Sequence, residues 1–225
     1  MSILDLLFPK ACLECKKEGK YLCEVCLSKL PPVRQVCPMC LRPSVDGFTH
    51  TKCVRPLCIN GIMAIWPYKG VIRSGILALK YKFVKEVSGE LSLLVMQKVK
   101  DFFLFQKEEG ILTTVPLYWS RKNFRGYNQV DEIGTSISKN FNLSFYNDLL
   151  FRKKLKTPQV TLSKKERLKN IQGVFALNPK YRSIIHDAFI IVLDDVYTTG
   201  STLKETAKVL KRKGAKEVWG LTLAR

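Results

Sequence analysis

The stretch from Phe189 to Leu203, FIIVLDDVYTTGSTL, constrains the fold more than any other part of this chain. Its first five residues are all apolar, which indicates a strand buried on both faces of a parallel sheet. Two acids follow, Asp194 and Asp195, and then a turn of small hydroxyl residues around Gly200. The apolar residues after the turn recur at helical spacing, at Leu203, Ala207 and Leu210. The free N–H groups and the positive dipole end of this helix favour a phosphate in the turn.

The two acids and the turn together predict a site for a sugar phosphate. Carboxylates accept hydrogen bonds from paired sugar hydroxyls, while backbone N–H groups and Ser or Thr hydroxyls donate to phosphate oxygens. We expect ribose at Asp194 and Asp195, and phosphate at Thr198, Thr199, Gly200, Ser201 and Thr202. The alternative is an ordinary strand end followed by a helix cap, which is common in α/β proteins. Two adjacent acids and five small residues are more than a cap requires.

The chain of 225 residues has a formal net charge of +19, which favours a polyanionic partner such as nucleic acid but also suits an ordinary basic surface. The first 59 residues hold nine basic and five acidic side chains, so +15 of this charge falls in the remainder. There is no secretory signal and no apolar run of about 18 residues, so we expect a cytoplasmic protein without membrane insertion. The sequence also lacks a P-loop and a dinucleotide fingerprint.

All eight cysteines lie before residue 59, which predicts metal binding because a reducing cytosol keeps thiols free. Two CxxC knuckles complete one tetrahedral zinc site. Pairing in sequence order gives two structural sites, the first with Cys12, Cys15, Cys23 and Cys26, the second with Cys37, Cys40, Cys53 and Cys58. A crossed pairing, replacement of one ligand by His50, and buried or redox-active cysteines are the alternatives. We expect a Cys-rich zinc domain over residues 1–59, with metal supplying part of its folding energy.

From Asn60 onward the pattern changes to alternating strands and helices, which predicts a doubly wound, mostly parallel α/β sheet over residues 60–225. A strand or hairpin is expected at 61–68, and strands at 111–117, near Phe175, at 189–193 and at 217–223. Helices are expected at 71–81, at 92–105, from 129, and from the turn to about 213, where Gly214 ends the helix. Residues 152–169 carry eight Lys or Arg and one acid, which indicates a mobile basic loop.

The stretch from Ile190 to Leu203 resembles the 5-phosphoribosyl-1-pyrophosphate (PRPP) motif of type I phosphoribosyltransferases. Nearly the whole chain resembles the ComF family of competence proteins, ComFC-like members in particular. The similarity includes the paired cysteines, Val115-Pro116-Leu117, Arg121, and the segment Arg125-Gly126-Tyr127-Asn128-Gln129. It also includes Thr157-Pro158-Gln159, Leu162, Arg167, Asn170, Gly173 and Phe175.

This resemblance implies a type I phosphoribosyltransferase-like fold and a role for each part of the site. Asp194 and Asp195, as the catalytic pair, would hold the ribose hydroxyls of PRPP, in part with Mg²⁺, and residues 198–202 would hold the 5′-phosphate. Pyrophosphate would lie against Arg121, Arg125, Gly126, Tyr127, Asn128 and Gln129. The loop carrying Lys156, Gln159, Arg167 and Asn170 would close over it and exclude water. Arginines and Mg²⁺ would stabilise the charge on the leaving pyrophosphate.

Three functional hypotheses follow. The first is a competence protein that handles incoming single-stranded DNA in natural transformation, with backbone phosphates on Lys and Arg; bases would stack on aromatics such as Trp119, Phe124 or Tyr127, each of which core packing also explains. The second is an active phosphoribosyltransferase that uses PRPP and Mg²⁺ with an unidentified acceptor, for which no pocket is evident. The third is that the zinc segment docks a helicase-type competence partner or forms a dimer.

Overall fold

The computed structural model describes residues 9–81, 85–106, 109–117, 128–153 and 172–225. Its strands are β1 (Gly61–Trp66), β2 (Ile111–Thr114), β3 (Ser144–Phe145), β4 (Leu150–Arg152), β5 (Phe175–Leu177), β6 (Phe189–Val196) and β7 (Glu217–Ala224). Within the described ranges, five of them form one sheet in the order β1-β7-β6-β2-β3, with every neighbouring pair parallel. The predicted mostly parallel sheet is confirmed.

Helices cover both faces of this sheet, as the uninterrupted apolar run of β6 predicts. They are α1 (Glu24–Ser28), α2 (Gly70–Tyr81), α3 (Lys85–Val99), α4 (Gln129–Asn140) and α5 (Ser201–Arg212). Ile191 and Leu193 of β6 share one core with α2, α3 and α4, whereas Ile190 and Val192 share the other with α5. Within the described ranges, no helix has both the length and the apolar character needed to cross a bilayer.

Three predicted elements differ from those observed. The helix expected at 92–105 is α3, which starts earlier and ends at Val99; a 3₁₀ turn, Phe103–Phe105, follows it. Three consecutive apolar residues in this turn pack inward, which one face of a continuing helix does not allow. The strand expected to reach Leu117 ends at Thr114, shortly before Pro116, which has no N–H to donate.

The third difference concerns β5, which lies outside the main sheet. It pairs antiparallel with β4, with Leu150 opposite Leu177 and Arg152 opposite Phe175. The apolar side chains of this hairpin pack into the same core as α5. The hairpin therefore covers the α5 face of the sheet, and β3, a two-residue strand without a sequence signal, takes the edge position beside β2.

The N-terminal segment packs along β1, the edge strand of the sheet. Gln35 substitutes for a neighbouring strand there: its Nε2 donates to the Ala64 carbonyl at 2.8 Å, and its Oε1 accepts from the Ala64 N–H at 3.0 Å. Residues 12–26 continue onto the α3 face, where Glu90 accepts from the N–H groups of Tyr21 and Leu22. The segment thus satisfies backbone groups that an open edge would leave free.

Candidate functional site

Asp194 and Asp195 lie at the carboxyl end of β6, where ligands of open parallel sheets bind. The Nζ of Lys80, on α2, lies 2.6 Å from an Asp195 carboxylate oxygen. An Asp194 oxygen accepts from the Asp195 N–H at 2.9 Å. Burial and the negative charge of Asp195 raise the pKa of Asp194 to about 8, and the Asp195 N–H and Lys80 only partly oppose this. Asp194 is therefore ready to ionise when a cation or hydroxyl donors arrive.

The turn after the acids leads into α5 with its amide groups available. Gly200 is the N-cap and has a left-handed backbone, with φ of 70°, which favours glycine. The hydroxyls of Thr199 and Ser201 lie 3.0 Å apart. The N–H groups of Thr198 and Thr202 have no hydrogen-bond acceptor among the described residues. A twelve-residue helix with an uncapped first turn is a suitable binding site for an anion.

The structure brings Asn128, one of the predicted pyrophosphate residues, towards the acids. A cavity of ≈ 40 Å³ is lined by Lys80, Asn128, Asp194 and Asp195 together with apolar side chains of α2, α4 and the segment after β2. Asn128 is held by a hydrogen bond from its Nδ2 to the Val115 carbonyl, at 3.4 Å. The ends of β2 and β6 and the start of α4 thus meet around one polar space.

Most of the other predicted ligands of the pyrophosphate lie outside the described residues. They are Arg121, Arg125, Gly126 and Tyr127, and with them the loop residues Lys156, Gln159, Arg167 and Asn170. Gln129 is the first residue of α4. The candidate stacking residues Trp119 and Phe124 also lie outside the described residues. Their roles remain predictions.

Two lysines of the site were not assigned by the sequence patterns. Lys80, at the end of α2, forms the ion pair with Asp195. Lys204, one turn into α5, donates from Nζ to the Thr199 carbonyl at 3.4 Å, and burial lowers its pKa. A signal for Lys204 was present, because it follows the hydroxyl turn at a spacing that returns to the helix start. Lys80 is remote in sequence and offered no such signal.

The first predicted metal group is assembled as expected. The sulfur atoms of Cys12, Cys15, Cys23 and Cys26 all lie within 4.8 Å of one another. The Cys12–Cys26 distance is 3.8 Å and the Cys15–Cys23 distance is 3.6 Å. These match the edge of about 3.8 Å of a tetrahedron with 2.3 Å Zn–S bonds, and they are far longer than a disulfide.

The second group differs from the prediction in one member. His50 lies with Cys37, Cys40 and Cys53, and Cys58 is not part of the group. The Nδ1 of His50 is 3.3 Å from the Cys40 sulfur, and its Nε2 lies 3.0 Å from the Pro43 carbonyl. That carbonyl accepts a hydrogen bond from the Nε2–H, so the neutral ring carries its proton on Nε2 and its Nδ1 is able to bind metal. The spacing His50-x-x-Cys53 repeats the knuckle spacing and was the signal for this ligand.

The donor chemistry of both groups fits zinc. Burial and the adjacent sulfurs raise the pKa of Cys26 to about 12, because four thiols this close cannot all ionise without a cation. In the second group, burial opposes ionisation of Cys37, but N–H groups of Cys40, His50 and Met39 outweigh it and lower its pKa. Tetrahedral sets of four thiolates, or of three with one imidazole, are structural zinc sites.

Comparisons with known proteins agree over nearly the full length of the chain. It is 31% identical over 225 residues to competence protein F of Haemophilus influenzae, covering 95% of this chain and 90% of that protein. It is 27% identical to DNA utilization protein YhgH of Escherichia coli K12, covering 89% of each. It is also 27% identical to competence protein ComFC of Streptococcus pneumoniae, covering 93% of this chain and 90% of that protein. No protein-family model matches the chain.

Among solved structures, the chain is similar to a glutamine phosphoribosylpyrophosphate (PRPP) amidotransferase from B. subtilis complexed with ADP and GMP. The TM-score is 0.39 and the sequence identity 15%, with 60% of this chain and 26% of that chain covered. A likeness of this size adds no argument to the strand order and helix positions described above.

Proposed function

Because this chain belongs to the ComF (competence protein F) family, we propose that it handles incoming single-stranded DNA in the cytoplasm during natural transformation, and that its α/β part binds PRPP with Mg²⁺. The observation that supports the PRPP site most strongly is that Asp194 and Asp195 lie beside the uncapped start of α5, at the carboxyl end of the central strand β6. Zinc, in the two groups of the N-terminal segment, is the proposed structural metal.

In the proposed binding mode, hydrogen-bond acceptors of the protein hold the ribose of PRPP, and hydrogen-bond donors hold its phosphate. Ribose hydroxyls donate to Asp194 and Asp195, and the 5′-phosphate accepts from the amides and hydroxyls of residues 198–202. Asp194 and Asp195 would also hold Mg²⁺, which would supply positive charge for the pyrophosphate. Lys80, already paired with Asp195 at 2.6 Å, holds that carboxylate in position. Asn128, near the end of the predicted pyrophosphate segment, lines the same cavity as the acids.

The net charge of +19 supports the role with DNA, since Lys and Arg that neutralise DNA phosphates release counterions on binding. Binding of a fluorescent single-stranded oligonucleotide tests this. We expect affinity to fall at least about 100-fold between 50 mM and 200 mM salt if several phosphates are contacted. Affinity that is undetectable at low salt, or unchanged across this range, contradicts the role with DNA while leaving the PRPP site untouched.

A second candidate function is catalysis, a phosphoribosyl transfer to an unidentified acceptor. The observation that favours it is the intact pair of acids with its lysine, which is more than retention of a phosphate requires. Release of pyrophosphate from PRPP and Mg²⁺, measured with bases and amines as acceptors, separates the two candidates. Turnover lost in Asp195→Asn supports catalysis, and binding without turnover supports a PRPP-dependent role in DNA handling.

The zinc segment is a proposed docking surface for a helicase-type competence partner. Around the second metal group several apolar side chains are exposed, with Val45 at 81% and Phe48 at 46%. Such a patch is typical of an interaction surface. The variant Val45→Asp is expected to abolish binding to the purified helicase, while exposed Val25→Asp, on the first half of the segment, is expected to retain it. Equal binding by both variants contradicts docking at this patch.

A further inference from the structure

Tyr197 lies between the second metal group and the phosphate turn and contacts both. It follows β6 directly, is only 4% exposed, and its N–H donates to the Ala224 carbonyl at 2.8 Å. Its hydroxyl donates to the Pro38 carbonyl at 3.2 Å, and Pro38 lies between Cys37 and Cys40 of the metal group. The Tyr197 hydroxyl therefore links the knuckle between Cys37 and Cys40 to the start of the turn.

The other side of the tyrosine supports the turn itself. A Cβ placed on Gly200 would lie 2.4 Å from a ring carbon of Tyr197 and 2.6 Å from its hydroxyl oxygen. The ring therefore packs directly against the Gly200 backbone, in the left-handed conformation that starts α5. Burial raises the pKa of Tyr197 to about 12, so its hydroxyl stays protonated and can donate the hydrogen bond to the Pro38 carbonyl.

The knuckle that holds Pro38 is fixed by the ligands on either side of it. The Leu41 N–H donates to the Cys37 carbonyl at 2.9 Å, and the Cys37 N–H donates to the Arg42 carbonyl at 2.9 Å. A metal bound by Cys37 and Cys40 fixes this loop, because both ends of the four-residue knuckle are then tied to one ion. Loss of metal is therefore expected to leave only these backbone hydrogen bonds to hold the Pro38 carbonyl against Tyr197.

We propose that Tyr197 is a positioning residue that couples metal at the second group to the phosphate affinity of the turn. Metal fixes the knuckle, the knuckle holds the tyrosine, and the tyrosine ring holds Gly200 so that the first-turn amides point to the ligand. The inference rests on the proposed PRPP site. Because coupling free energies are reciprocal, phosphate binding must also tighten metal binding at this group by the same factor.

The first metal group provides an internal comparison. It packs in the core on the opposite face of the sheet, with α2 and α3. It too has an adjacent tyrosine linked to the α/β part, since the Tyr21 hydroxyl donates to Glu86 at 3.0 Å. Among the described residues, no hydrogen bond joins residues 12–26 to the phosphate turn. Tyr21→Phe is therefore a matched control for Tyr197→Phe.

The test is a calorimetric titration with PRPP and Mg²⁺ of four proteins purified in the presence of zinc, with their zinc content measured, and of the Tyr21→Phe control. They are wild type, Tyr197→Phe, Cys40→Ser and the double variant, with circular dichroism to verify folding. We expect each single change to weaken PRPP binding about 5- to 20-fold, and the double variant to lose no more than the weaker single variant. Tyr21→Phe is expected to bind within twofold of wild type. Losses that multiply in the double variant, or equal losses in the two tyrosine variants, overturn the coupling.

A second readout needs no PRPP and keeps the inference testable if that ligand fails to bind. Zinc release to a competing chelator is followed at both groups in wild type, Tyr197→Phe and Tyr21→Phe. Tyr197→Phe is expected to speed release of one zinc ion about fivefold and to leave the other unchanged. Absence of PRPP binding by wild type counts against the proposed site. Identical zinc release in Tyr197→Phe and wild type counts against the coupling.

Discussion

Asp194 carries an ionisation that opposes stability of the ligand-free protein. Its pKa is raised to about 8, first by burial and then by Asp195, from an ordinary value near 4. The folded state therefore holds a proton that the unfolded state loses, and its contribution to the free energy of unfolding declines as pH rises from about 4 to 8. This is opposite to the usual behaviour of a salt-bridged carboxylate.

The variant Asp194→Asn is expected to remove this pH dependence. Relative to wild type, its free energy of unfolding rises with pH and exceeds the wild-type value by about 1 to 3 kcal/mol at pH 8. Urea unfolding without ligand at pH 5, 6.5 and 8 measures the difference. Exposed Asp101→Asn is the control and keeps the wild-type slope. A difference between Asp194→Asn and wild type that is constant over this range contradicts the buried ionisation.

His50 takes the fourth ligand position of the second metal group, which the sequence analysis assigned to Cys58. Pairing the cysteines in sequence order predicts Cys58 as the fourth ligand, but the spacing of His50 to Cys53 equals that of the CxxC knuckles. The path of the chain from residue 40 to residue 53 brings His50 to the group. Just before His50, the Thr49 N–H donates to the Asn60 carbonyl at 2.8 Å, which holds the chain beside the start of β1. No local pattern encodes that path.

Metal analysis of two variants tests this assignment. Cys58→Ser is expected to retain two zinc ions per chain, whereas His50→Ala loses the second or binds it at least about tenfold more weakly. Titration of thiols in the zinc-loaded wild type is expected to find one reactive cysteine, because seven of the eight lie in the two groups. Zinc loss in Cys58→Ser equal to that in His50→Ala restores Cys58 as the ligand.

At the level of the elements, the buried strand, the turn and α5 follow from the sequence because each has a strong local cause. The apolar run requires burial on two faces, Gly200 permits the left-handed cap, and Leu203, Ala207 and Leu210 all face the core. The two-residue β3 and the β4–β5 hairpin do not follow, since two or three residues carry no periodicity. The positions of β3 and of the β4–β5 hairpin depend on tertiary packing against the rest of the fold.

Gln35 offers a test of how the N-terminal segment completes the sheet. Gln35→Ala leaves the N–H and carbonyl of Ala64 on β1 without their partners, which costs about 1 to 3 kcal/mol of unfolding free energy. Chemical denaturation measures this loss. Gln97→Ala, at an exposed position of α3, is the matched control and is expected to change stability by less than about 0.5 kcal/mol. Equal stability of the two variants contradicts the strand-like role of Gln35.

For the whole molecule, the proposed N-terminal domain of residues 1–59 makes several contacts with the proposed α/β domain of residues 60–225. The N-terminal segment covers the β1 edge through Gln35, contacts α3 through Glu90, and supports the turn through Pro38 and Tyr197. Deleting it would expose an edge strand and remove the support of the turn together. The function of the zinc groups is therefore better tested by point variants than by truncation.

The sequence predicted both the acids and the cysteine groups, but it did not predict that Tyr197 joins the second group to the turn after the acids. This link is possible because β1 is the edge strand of the sheet. The segment before β1 therefore reaches both faces of the sheet, and one metal group lies on each face. The order β1-β7-β6-β2-β3 joins strands from distant parts of the chain, and a local pattern cannot specify such an order. Tyr197, between the acids and the hydroxyl turn, had no signal beyond its position.

The most direct measurement is calorimetric titration of the zinc-loaded protein with PRPP, with and without Mg²⁺. We expect saturable binding of one PRPP per chain that requires Mg²⁺, and at least about a 100-fold loss of affinity in the Asp194→Ala/Asp195→Ala variant. Exposed Asp101→Ala is expected to bind as wild type does. Binding of equal strength by wild type and the double variant, or no binding by wild type at millimolar PRPP and Mg²⁺, would contradict a PRPP site at the end of β6.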